Sequence, residues 1–167
     1  MGFFRRKAQH QPAAAAAKAS TPASDGIHII GDDLSPEERI AAQAAMFMAM
    51  FEDAEGVALA YDRASVDLAD ELLHTFFEAS TALPAQVQEM VASFVFEVAR
   101  AEFGGRYVTV NAENPVALVV GEPSAAVLVL AYEKTKLRSV NGPEDSLGFF
   151  YDGIAPLVAE GKTATLT

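Results

Sequence analysis

The chain has 167 residues, 51% hydrophobic and 21% charged, with no cysteine and a net charge of −11. That length suits one ordinary domain with a sizeable core, and the lack of cysteine excludes a disulfide framework, thiolate metal ligands and a cysteine nucleophile. Charge is unevenly divided: residues 1–24 hold Arg5, Arg6, Lys7 and Lys18 and no acid, so the rest carries all 23 acidic residues.

Met1 to Gly26 is low in complexity, with five consecutive alanines and no apolar period that would bury a face. A disordered basic tail over 1–26 is expected, followed by one acidic domain over 27–167. Ala13–Ala17, interrupted by Lys18, is too weakly apolar for a signal peptide, and Arg6 stands where myristoylation wants Ser or Thr. Phe3-Phe4 beside Arg5-Arg6-Lys7 makes only a weak membrane anchor.

Ser35-Pro36-Glu37-Glu38 places a capping hydroxyl, a proline at the first helical position and a glutamate at the third, so a helix begins here. Ile40, Ala44, Phe47, Met48 and Phe51 form its apolar face. Met46 and Met50 lie off that face, four residues apart, as core filling or as an adaptable binding surface. Val57–Tyr61 reads as a short extended segment. Asp62 or Ser65 then caps a second helix carrying Val66, Ala69, Leu72, Leu73, Phe76 and Phe77. Asp70 and His74 are four apart on this helix, a spacing that metal sites use. No second histidine or carboxylate motif accompanies them, so a solvated acidic face is expected and no metal.

Gln86 to Phe103 is the central helix of the expected fold, apolar around most of its circumference. Only a thin stripe of Gln86, Glu89, Ser93, Glu97 and Arg100 is polar. Gly104-Gly105 ends it with a left-handed residue, and strands are expected over 106–111, 116–120 and 125–130, the last two as a hairpin. The continuous apolar character of 125–130 implies cover on both faces, or contact with the central helix. Tyr132–Val140 reads as a short helix bearing Lys134, Lys136 and Arg138, and Asn141–Asp145 as the break before a last one. That last helix carries Leu147, Phe150, Tyr151, Ile154, Leu157 and Val158, with Pro156 as a kink or end. The expected class is α+β: N-terminal helices and a central helix on a small antiparallel three-stranded sheet, with C-terminal helices.

Three segments in order resemble a bacterial family of small domains of unassigned function. They are Asp62 to Leu72, where Asp and Ser introduce a helix with Leu, Asp and Glu; Phe94 to Tyr107, a helix with a central glutamate closed by Gly-Gly; and Lys134 to Tyr151, a basic segment, an Asn-Gly turn and an acid-Ser-Leu helix start. The chain departs from the pattern at Arg106-Tyr107, where tryptophan follows Gly-Gly, and at Ala131, where proline is usual. The resemblance implies an α+β domain of bacterial, often cytoplasmic, origin, and it brings no catalytic residues.

Gly-x-Ser-x-Gly, the P-loop, the dinucleotide fingerprint and paired-histidine metal motifs are all absent from the chain. No catalytic residue and no cofactor is expected. Glu97 is the best candidate for a special residue, paired with Arg100 or Arg106. The expected function is a non-catalytic protein-interaction domain, immunity-like or an adaptor, with Glu97, Arg100, Arg106, Met46 and Met50 as candidate interaction residues. Its partner is a protein; the acidic body is compatible with a basic one and equally with simple solubility, and nucleic-acid binding by the acidic body is not expected. The alternatives are a component of a larger assembly recruited through the N-terminal tail and, behind it, a small enzyme. With no run of about 18 apolar residues, no transmembrane segment is expected.

Overall fold

A computed structural model describes residues 34–112 and 114–167; the expected tail, and the start of the domain at residue 27, lie outside them. The fold is α+β. Helices α1 (Pro36–Glu55), α2 (Arg63–Glu78) and α3 (Ala85–Phe103) precede strands β1 (Arg106–Val108), β2 (Ala117–Val120) and β3 (Ala126–Val129). Helix α4 (Ala131–Asn141), the 3-10 turn Gly142–Asp145, α5 (Leu147–Asp152), α6 (Ile154–Ala159) and β4 (Thr163–Leu166) follow.

The capping box starts α1 as its sequence requires. Ser35 Oγ accepts from the Glu38 amide at 3.3 Å, and the Ser35 amide donates to Glu38 at 2.9 Å. Gly56 closes the helix at φ 69°, ψ 17°, a left-handed conformation that costs glycine little. Asp62 caps α2 by accepting from the Ser65 amide at 2.9 Å. The segment 57–60 forms no strand; its amide at Ala60 is taken up by Ser65 Oγ at 3.0 Å.

Helix α3 is the centre. Every residue from Met90 to Phe96, and Val98 and Ala99, is buried, against α1, α2, α4 and β2. Its end is tighter than a simple left-handed cap. Gly104 takes φ 68° with ψ −150°, and Gly105 takes φ 112° with its α-carbon pressed against the Val119 carbonyl, where a Cβ would collide. Both glycines are therefore needed, the second more than the first.

The sheet has four strands, one more than the sequence reading expects, in the order β1-β2-β3-β4. The β1-β2 and β2-β3 pairs are antiparallel, with Tyr107 opposite Leu118 and Val119 opposite Leu128. The added β4 runs parallel to β3, Val127 opposite Ala164. A parallel neighbour needs a long crossover, which α4 to α6 supply. The fully covered strand is β2 rather than β3, which alternates half-buried and buried residues. The last helix divides at Gly153 rather than at Pro156, because Pro156 sits in the first turn of α6, where its missing N–H leaves no bond unmade.

Candidate functional site

The polar stripe of α3 is open to solvent at its start, where Gln86 and Glu89 are exposed, and closes further along, with Ser93 buried and Glu97 and Arg100 half-buried. Helix α1 lies antiparallel along it and turns it into a polar seam. Gln43 bridges two members, donating to Glu89 at 3.1 Å and accepting from Ser93 Oγ at 2.8 Å, and Ser93 is wholly buried. Arg100 reaches Glu37 of α1 at 3.5 Å. A seam of paired polar groups has the same spacing as an exposed face, so periodicity alone does not separate the two.

Glu97 closes this seam. Its side chain is 17% exposed, so its charge needs a donor. The shortest contact is not an arginine: Tyr107 on β1 donates its phenol to Glu97 at 2.5 Å. Arg100 stands 3.6 Å from the same oxygen and 5.3 Å from the Tyr107 ring centre, a loose ion pair with a cation–π contact. Tyr61 completes the group, stacked on Phe94 at 6.1 Å. Burial, reinforced by the Glu97 carboxylate, raises the Tyr107 and Tyr61 phenols above their ordinary range. Both are therefore neutral hydrogen-bond donors near pH 7, not nucleophiles or bases. The guanidinium of Arg100, 36% exposed and held by long contacts, keeps donor capacity for an incoming acceptor.

The other expected site residues lie elsewhere. Arg106 does not join Glu97; it makes a two-pronged pair with Glu122 at 2.8 and 3.0 Å across the β1-β2 edge. Met46 and Met50 are 37% and 36% exposed on α1. They share that helix's outward surface with Ala41, Ala45 and Ala49, all exposed. Asp70 grips Arg138 at 2.8 and 3.0 Å and accepts the Leu147 amide at 2.6 Å. His74 meets Glu78 at 3.3 Å, and no group of three metal-ligating side chains exists among the described residues.

The basic residues of α4 form no surface patch. Arg138 and Lys134 are buried, and Lys134 donates to Asp145 at 2.6 Å. That pair, with Asn141, holds the Asp145 carboxyl below the usual range. This network ties α2, α4 and the start of α5 together, and Tyr151 of α5 donates to Glu102 of α3 at 2.6 Å. Sequence reasoning missed Tyr107 and Tyr61 as neighbours of Glu97 and Glu37 as a partner of Arg100, and Arg138 as the partner of Asp70. An aspartate on a helix rich in inward leucines was the available signal for the latter; no local pattern marks the former.

No protein-family model matches this chain, and neither the curated proteins nor the solved structures contain a significant match to it.

Proposed function

We propose that the protein acts by binding another protein, as a non-catalytic adaptor or immunity-like module, and that the partner is basic. The observation that carries this reading is the outward face of α1. A solvated helix face normally carries charge; here Ala41, Ala45, Met46 and Ala49 are exposed in succession, with Met50 beside them. Exposed thioethers adapt to a partner surface at little conformational cost, and Glu52 and Asp53 follow on the same helix to favour a cationic rim. Glu97, Arg100 and Tyr61 offer a second, polar contact beyond the N-terminal half of α1. The proposal extends to kinship with the small bacterial domains that three segments resemble. What supports it is that the segments meet: Asp70 of the first holds Arg138 and Leu147 of the third, and Glu102 of the second accepts from Tyr151.

Affinity capture from the source cells, with wild type beside Met46→Glu/Met50→Glu, tests the reading. The expected result is a basic partner recovered by wild type and lost by the variant, at an unchanged thermal midpoint. Recovery of the same proteins by both would place the interaction elsewhere.

A further inference from the structure

Between the end of α1 and the middle of α2 runs a groove of about 170 Å³ lined by Phe51, Glu55, Leu68, Glu71, Leu72 and Thr75. Its floor is apolar and its rim carries two carboxylates. Its size is close to that of an apolar cavity that holds one benzene ring, about 150 Å³. Glu55 and Glu71 have no basic partner among the described residues. Glu52, Asp53 and Glu55 also crowd the last turn of α1, which has no basic residue. That is the negative end of the helix dipole, where a cation is favoured and a carboxylate is not.

We propose that this groove seats the chain's own segment Phe3-Phe4-Arg5-Arg6-Lys7. One phenyl ring enters between Phe51, Leu68 and Leu72, and the cations meet Glu55 and Glu71. This is the single place in the sequence where paired aromatic residues adjoin a run of basic ones, and residues 1–24 contain no acid to oppose the contact. The reach is sufficient. Phe51 lies about 22 Å along α1 from Pro36, at 1.5 Å per helical residue, whereas the chain from Lys7 to Leu34 can span up to about 90 Å. The groove does not include the exposed methionines: nine positions separate Met46 from Glu55, half a turn out of phase at 3.6 residues per turn.

With no native cysteine, single spin labels can be placed on the full-length chain. A nitroxide at Ala79→Cys, one turn beyond Thr75, is expected to broaden the amide signals of residues 3–7 more than those of 18–24. The same label at Thr163→Cys on β4 is not. The broadening is expected to vanish in Glu55→Lys/Glu71→Lys, and to return when Arg5, Arg6 and Lys7 are changed to Glu in that background. It should also fall in about 1 M salt, where the Debye length is about 3 Å. Equal broadening from both labels, or persistence in Glu55→Lys/Glu71→Lys, would overturn the proposal. So would broadening carried between labelled and isotope-enriched copies in a mixed sample, which would assign the segment to a second chain.

Discussion

Glu97 shows how a single side chain divides its roles. It accepts a short hydrogen bond from Tyr107 and a loose ion pair from Arg100, so it is neither free on the surface nor locked to an arginine. Changing it to glutamine keeps an acceptor for the phenol and loses the charge assistance, for an expected cost of about 1 kcal/mol. Tyr107→Phe does more, because it leaves a half-buried carboxylate with only its loose partner; about 1–2 kcal/mol is expected. Urea midpoints of the two variants check the order. If both fall within about 0.5 kcal/mol of wild type, the level of an ordinary surface change, the contact contributes nothing to stability.

Among the elements, the buried network decides how the C-terminal half docks. Asp70 neutralises Arg138, whose side chain is 4% exposed, and caps the amide of Leu147 at the start of α5. Asp70→Ala strands a buried guanidinium and is expected to cost about 3–5 kcal/mol. Replacing both partners by apolar residues, as in Asp70→Leu/Arg138→Met, removes the stranded charge and should recover much of that loss. A double-mutant cycle by denaturation reads the coupling; additive single losses would show that the pair is not coupled. The seam between α1 and α3 works in the same way on a smaller scale, through Gln43.

For the whole molecule, the tyrosines give stability a pH dependence on the alkaline side. Burial, with Glu97 and Glu102 as acceptors, raises Tyr107 and Tyr151. Because the folded state holds these protons more tightly, their contribution is fully present below the unfolded tyrosine value of about 10. It is lost as pH rises through the folded values. Melting temperatures measured from pH 8 upward should stay level and then fall beyond about pH 10, and Tyr107→Phe should shallow that fall. An unchanged slope in the variant would remove Tyr107 from the account.

Much of the architecture is legible in the residues because it depends on local chemistry. The capping box at Ser35, the Asp62 cap, the apolar girth of α3, the Gly-Gly stop and the β2-β3 hairpin are each written within a few positions. The missed β4 had a local signal too, threonines after Gly161, but its parallel pairing depends on the crossover through α4 to α6. The division of the last helix at Gly153 followed the turn position of Pro156, which only the observed start of α6 defines. What lay wholly beyond the sequence were the pairings: the stripe of α3 as a seam for Gln43, Tyr107 rather than arginine on Glu97, and Arg138 on Asp70. Periodicity reports which face of a helix is polar, but a polar face against water and one against matched hydrogen-bond partners have the same period. Only the tertiary structure, by bringing residues 50 to 70 positions apart within hydrogen-bond distance, distinguishes them.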